Sequence, residues 1–287
     1  SFSFESIPYG TWYVREIEQP AGFVLDDTIY PVTIGADGQV VEIKIVNRYV
    51  RGNIHLTKVD SEYPDNKLTG ATFEVYKDSN ANGKLDDSDE LLGTLTEKEI
   101  GEYGMNDLFY GRYFVKETKA PKGFVLDTGV YEVMIDTNGK TYEVENKAGV
   151  GFINEAMRGN LKIVKTSSDG KVKGFAFRIT GANGYDIILE TNDKGEIFID
   201  GLRIGDYTIS EVSNSASSMY VIPADKKATV KLGSTTIVEM HNVLRDTPKT
   251  GDTTNLPLLY ALAGLSAVGI AVCGVIGFKK KKKEDRN

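Results

Sequence analysis

The chain has 287 residues and a net charge of −7, a length that allows two or three domains. Residues 279–287 hold six basic and two acidic side chains, so the remainder carries −7 − 4 = −11. That acidity excludes the basic footprint of a nucleic-acid binder and any attraction to anionic lipid. The lone cysteine, Cys273, lies in an apolar run near the end, so everything before it must be stiffened without disulfides.

The first element, Tyr9-Gly10-Thr11-Trp12-Tyr13-Val14-Arg15-Glu16, reads as an aromatic strand ending on a glutamate. It leads into Pro20-Ala21-Gly22-Phe23-Val24-Leu25-Asp26, an Asp37-Gly38 turn and a last strand closing on Asn47. The pattern then returns. Gly52-Asn53-Ile54-His55-Leu56-Thr57-Lys58 opens a second repeat, with predicted strands at 72–76 and 130–135 and a turn at Asn138-Gly139. Its aromatic strand is Tyr110-Gly111-Arg112-Tyr113-Phe114-Val115-Lys116-Glu117, followed by Pro121-Lys122-Gly123-Phe124-Val125-Leu126-Asp127. Gly159-Asn160-Leu161-Lys162-Ile163-Val164-Lys165 opens a third, with a predicted strand at 175–179 and turns at Asp169-Gly170, Asn183-Gly184 and Lys194-Gly195. There Ile204-Gly205-Asp206-Tyr207-Thr208-Ile209-Ser210-Glu211 is the aromatic strand, and the segment after it departs from the other copies. Many short strands with turn signals and no helix pattern before residue 256 predict an all-β chain of tandem Ig-like β-sandwiches. The spans are a partial repeat at 1–49, a complete one at 50–156 and another at 157–244. Trp12 and the tyrosines are expected to fill cores and strand faces, with exposed ones available to a host ligand, and His55 and His241 to be packing residues rather than ligands.

Three residue types recur at matching places: a lysine in the first strand (Lys58, Lys165), a glutamate after the aromatic strand (Glu16, Glu117, Glu211), and an asparagine closing the last strand (Asn47, Asn242). The middle repeat offers two asparagines. Asn154 is followed by Arg158-Gly159 as Asn47 is by Arg51-Gly52, whereas Asn146 lies nearer to the Glu16–Asn47 spacing. With these residues, residues 1–244 resemble the SpaA or Cna-B type domains of Gram-positive pilins and adhesins, a prealbumin-like sandwich. The stretch from Tyr113 through Glu117 to Phe124 resembles that family's E-box. The resemblance implies spontaneous Lys–Asn isopeptide bonds, Lys58 with Asn154 (alternatively Asn146) and Lys165 with Asn242, with Glu117 and Glu211 as catalysts. Burial would leave the lysine a neutral amine and the glutamate protonated, able to stabilise an oxyanion on the asparagine carbonyl. The lysine partner of Glu16 and Asn47 is expected before Ser1.

An insertion, residues 78–89, carries oxygen side chains at Asp78, Asn80, Asn82, Asp86 and Asp89 with Gly83 at the sixth position. That is the order of an EF-hand calcium loop with Asp in place of the final Glu, here predicted to connect strands. No other cofactor is implied.

After a polar linker at 245–255, residues 256–278 form an uncharged run long enough for a transmembrane helix, and 279–287 a basic tail. With Thr247-Pro248-Lys249-Thr250-Gly251 ahead of it, the tail resembles the cell-wall sorting signal of Gram-positive surface proteins, with Thr247 where that family has Leu. The resemblance implies a sortase that cuts after Thr250 and joins it to peptidoglycan, membrane contact only before sorting, an export signal upstream of Ser1, and an extracellular, wall-attached product. No Ser-His-Asp, Cys-His or zinc pattern occurs, so the expected role is not enzymatic: a wall-proximal, adhesin-like stalk, whose further partner would be a host matrix or cell-surface ligand. A pilin subunit and the support of an upstream surface enzyme are the alternatives. No donor lysine in a pilin-type motif is found.

Overall fold

The computed structural model of the chain describes residues 2–245. The sorting motif from Thr247 to Gly251, the predicted span 256–278 and the basic tail therefore lie outside the described residues. Among those described, every regular element is a strand apart from one three-residue 3-10 turn, Ala182–Gly184. No helix among them is long and apolar enough to cross a membrane. The chain divides into two compact units, Ser1–Gly159 and the part from Asn160 onward.

The partial repeat contributes β1 (Gly10–Val14), β2 (Phe23–Val24), β3 (Tyr30–Ile34) and β4 (Arg48–Tyr49). β1 pairs with β3 and β2 with β4, both antiparallel. None of the described residues up to Tyr49 is buried. Trp12 lies on the face of β1, 44% exposed, and donates its indole N–H to the Pro8 carbonyl.

The middle repeat runs β5 (Arg51–Asp60), β6 (Thr72–Lys77), β7 (Glu90–Thr94), β8 (Thr96–Glu99), β9 (Glu102–Phe109), β10 (Gly111–Lys119), β11 (Val130–Ile135), β12 (Thr141–Glu143) and β13 (Phe152–Asn154). Two sheets form, β12-β5-β9-β8 and β11-β10-β6-β7, with β12 and β13 lying end to end along the same edge of β5. Apolar residues alternate inward from both sheets, as a half-buried strand requires. Ile54 and Leu56 of β5 meet Phe73 and Val75 of β6, Tyr113 and Val115 of β10, and Phe152 of β13 in one core.

The last repeat repeats this plan with β14 (Arg158–Ser167), β15 (Ala176–Thr180), β16 (Asp186–Glu190), β17 (Glu196–Arg203), β18 (Gly205–Val212), β19 (Tyr220–Val221), β20 (Lys226–Val230) and β21 (Thr235–Leu244). Its sheets are β17-β14-β21-β19 and β16-β15-β18-β20. Leu161, Ile163, Phe177, Ile179, Ile209 and Met240 anchor its core. In both repeats the first strand lies beside the last and parallel to it, β5 with β12 and β13, and β14 with β21. That adjacency decides which side chains can be joined.

Candidate functional site: two buried Lys–Glu–Asn sets

Lys58 falls in phase with Ile54 and Leu56 on β5, and Lys165 with Leu161 and Ile163 on β14. Period-two alternation therefore carries both lysines into the core, where they are 0% and 1% exposed. The same phase buries Glu117 after Tyr113 and Val115, and Glu211 after Tyr207 and Ile209. It also buries Asn242 after Val238 and Met240, and Asn154 after Phe152. Lys58 stands opposite Phe152 in the parallel pair, so Asn154 lies two residues further along. Lys165 stands opposite Met240, so Asn242 lies two residues further along. Each glutamate comes from the facing sheet, Glu117 opposite Phe73 and Glu211 opposite Phe177. One glycine closes the turn beneath each lysine. Gly101 and Gly195 accept the Lys58 and Lys165 backbone N–H at 2.7 and 2.8 Å. A Cβ on either would lie 2.9 or 2.8 Å from that lysine's carbonyl oxygen, and both have φ in the left-handed region.

The asparagine amide is held by the glutamate in each set. Asn154 Nδ2 donates to Glu117 Oε2 at 2.7 Å and Asn242 Nδ2 to Glu211 Oε1 at 2.6 Å. The contact expected at the amide oxygen is thus found at the amide nitrogen. For Asn154 the cause is the Val125 carbonyl, which takes the same Nδ2 at 2.5 Å and, being an acceptor only, fixes the amide's orientation. The other glutamate oxygens, Glu117 Oε1 and Glu211 Oε2, and both amide oxygens are buried without a hydrogen-bond partner. Lys58 Nζ donates to the Phe152 carbonyl at 3.0 Å, and Lys165 Nζ to the Thr166 carbonyl.

Burial dominates the electrostatics. It pushes the Lys58 amine down to about 8 against the attraction of Glu117, and lowers Lys165 likewise against Glu211. It pushes both Glu117 and Glu211 up, over the opposing hydrogen bonds from Asn154 and Asn242. In each pair burial shifts both the lysine and the glutamate toward their neutral forms.

The two candidate asparagines of the middle repeat part company here. Asn154 reaches Glu117. Asn146 instead donates to Asp127 Oδ2 at 2.8 Å and clasps Ile153, accepting its N–H at 2.7 Å and donating to its carbonyl at 2.8 Å. Glu16–Asn47 and Glu211–Asn242 are each separated by 31 residues, and Glu117–Asn154 by 37. The extra six form a turn between β12 and β13, bridged from Lys147 to Gly151, and Asn146 secures its base. In the partial repeat Asn47 Nδ2 donates to Glu16 Oε1 at 2.7 Å with no lysine beside them among the described residues. Sequence reasoning missed the Asp26 and Asp127 backbone amides, which donate to Glu16 Oε2 and Glu117 Oε2 at 2.9 and 2.8 Å. The signal was present: an aspartate ten residues after each of these glutamates.

The histidines are not core packing. His55 lies on the sheet surface with Nε2 2.8 Å from Glu102 and Nδ1 2.7 Å from Glu143, and the exposed His241 meets the Thr166 hydroxyl. In the 78–89 loop Asp86 accepts from the Asn82 and Asn80 amides, at 2.6 and 3.1 Å. Asp78 accepts the Asn82 and Gly83 backbone N–H groups, and Asp89 those of Ser79 and Asp86. Among the described residues no three His, Cys, Asp or Glu side chains form a group able to hold a metal.

These are tandem sandwiches, each closing its first strand against its last over a buried lysine, glutamate and asparagine. Residues 1–49, 52–148 and 159–243 match the SpaA prealbumin-like fold domain model, and the chain belongs to that family. The second match stops at 148, within the turn that separates Asn146 from Asn154. The chain is 29% identical over 204 residues to the trypsin-resistant surface T6 protein of Streptococcus pyogenes serotype M6, covering 60% of this chain and 35% of that protein. It therefore spans about a third of that relative's length. Among solved structures the Bacillus anthracis TIE protein is 26% identical with a TM-score of 0.62, over 82% of this chain and 42% of the other. A streptococcal ancillary pilin is 21% identical with a TM-score of 0.30, over 84% of this chain and 77% of the other.

Proposed function

We propose that this chain is the wall-proximal stalk of a Gram-positive surface protein, anchored by its sorting tail and stiffened by two self-formed amide links, Lys58–Asn154 and Lys165–Asn242. The observation that carries the links is the pairing of a buried lysine with an asparagine whose amide nitrogen sits on a buried glutamate, at 2.7 Å in one repeat and 2.6 Å in the other. The neutral lysine Nζ attacks the asparagine Cγ. The Nζ–Cγ bond forms, the Cγ–Nδ2 bond breaks, and one proton leaves Nζ by way of the glutamate for Nδ2, which departs as ammonia. The glutamate ends as it began. Its contact with Nδ2 suits it to deliver that proton, and folding supplies the proximity that an external enzyme would otherwise provide. The links lie within the chain, and no turnover on another substrate is implied.

Anchoring rests on the Thr247-to-Gly251 motif, the apolar run and the basic tail, and a surface location is in keeping with the relative named a surface protein. After cleavage Thr250 would be the new C-terminus, bonded to peptidoglycan. Muramidase digestion of walls from the producing bacterium should release the protein as a monomer carrying wall fragments, and Thr250→Ala should shift it to the membrane and medium. A boiling-resistant ladder of multimers would instead indicate a pilin, and a wild-type protein extractable by detergent alone would refute anchoring.

Calcium binding by the 78–89 loop belongs to the same proposal. The ion would replace the amide donors now spent on Asp78, Asp86 and Asp89. The middle repeat should then melt higher in calcium than in chelator, and equal melting would remove the loop from the account.

A further inference from the structure

The cross-link centres hold a feature that the Lys–Glu–Asn set does not use. In the middle repeat Asp127 accepts the Tyr131 hydroxyl at 3.0 Å, the Gly129 N–H at 2.7 Å and the Asn146 amide at 2.8 Å. Tyr131 packs edge-on against Phe152 with centroids 5.0 Å apart, and Lys58 Nζ lies 5.5 Å from the centre of that phenyl ring. In the last repeat Asp169 accepts the Tyr220 hydroxyl at 2.6 Å and the Ser167 hydroxyl at 2.9 Å. Tyr220 packs edge-on against Phe175 at 5.2 Å, and Lys165 Nζ lies 4.1 Å from the centre of the Phe175 ring. Each lysine thus rests on a phenylalanine, that ring on a tyrosine, and the tyrosine on an aspartate.

The parts come from different places in the two repeats. Asp127 follows β10, Tyr131 belongs to β11 and Phe152 to β13. Asp169 lies in the turn after β14, Phe175 precedes β15 and Tyr220 belongs to β19. Met240, not a phenylalanine, stands opposite Lys165, and Val221, not an aspartate, lies ten residues after Glu211. The same arrangement is therefore built twice by separate routes, which shared scaffold geometry does not explain.

We propose that Asp127 and Asp169 are positioning anions of the two cross-link centres, held in place by a tyrosine, which keep the lysine charged until the pH is high enough and so set the acid limit of link formation. This rests on the cross-linking reading above. The charged and titratable groups facing Lys58 are Glu117 from β10, Asp127 from the following loop and Asp60 from its own strand. Those facing Lys165 are Glu211 from β18 and Asp169, itself 3.3 Å from Lys171 Nζ. In both centres the aspartate attracts the ammonium and opposes the burial that strips its proton. The carboxylates divide their roles: burial pushes Glu211 up to take a proton, while the Tyr220 hydroxyl, foremost among its hydrogen bonds, holds Asp169 well below the usual carboxylate range.

Asp169→Asn keeps the shape and removes the charge, without touching a hydrogen bond of Glu211. Unlinked full-length chain, recovered from inclusion bodies in denaturant, is diluted into buffers from weakly acidic to alkaline, quenched at intervals and digested. Loss of ammonia is then read separately for each repeat by mass. The acid limb of the rate–pH profile for Lys165–Asn242 should move to lower pH by roughly one unit, and that for Lys58–Asn154 should stay in place. Asp127→Asn should do the reverse. Profiles that superimpose on wild type, a limb that moves upward, or a folded Asp169→Asn chain that forms no link at any pH would each overturn the assignment. A wild-type chain that forms no link at all would overturn the cross-linking reading itself, and this assignment with it.

Discussion

Asn154→Ala is expected to abolish the middle-repeat link, and Asn146→Ala to leave it intact. The first removes the carbonyl that Lys58 would attack, whereas the second removes only the clasp on Ile153 and Asp127. The link would close a loop of nearly the whole repeat, from β5 to β13. By analogy with disulfide loop closure, its loss costs about 4–5 kcal/mol. For a domain of about this size that lowers the melting midpoint by on the order of 20 °C. Mechanical effects follow the same geometry. Because the parallel first and last strands would be joined, pulling on the chain could not separate them while the link held. The result that fails the assignment is an Asn154→Ala protein that still shows the middle-repeat ammonia loss.

The second large effect is a pH dependence that only the unlinked repeat should show. In Asn154→Ala, Lys58 stays in the core as an amine with burial pushing it down to about 8. An unfolded lysine titrates near 10.4, so between these values the unfolded chain binds more protons than the folded one. Stability therefore rises with pH across that window and is lowest below it, where folding must strip or bury the charge. The Lys58 contribution to the rise is about 3 kcal/mol. In the linked wild type the same nitrogen is an amide and does not titrate, so its stability gains nothing from this centre over that range. Chemical denaturation of both proteins from neutral to alkaline pH checks this, and parallel curves would contradict it.

Much of this was legible because period-two alternation is a strict rule. Lys58 after Ile54 and Leu56, or Glu211 after Tyr207 and Ile209, stands where the pattern demands an apolar residue. Repetition of the misfit in two repeats is a stronger signal than either copy. Asn242 could be read from its spacing to Glu211. Asn154 could not be settled that way, because the six-residue turn hides which asparagine continues the strand along β5. The direction of the Asn154 hydrogen bond was also out of reach, since the Val125 carbonyl that fixes it comes from a loop 29 residues away. The Asp–Tyr–Phe sets were hidden for a similar reason: Asp127 and Tyr131 are only four residues apart, but Phe152 reaches them, and Tyr220 reaches Asp169, through tertiary packing, and the two sets have different chain orders.

The central claim is that the two lysines and two asparagines become covalent links without help. Intact mass of the folded chain, measured after purification in denaturant, tests it most directly. The account predicts a mass lower than the sequence value by two ammonia molecules, by one in either Glu117→Ala or Glu211→Ala, and by none in the double variant. A folded wild-type protein with the full sequence mass would contradict it.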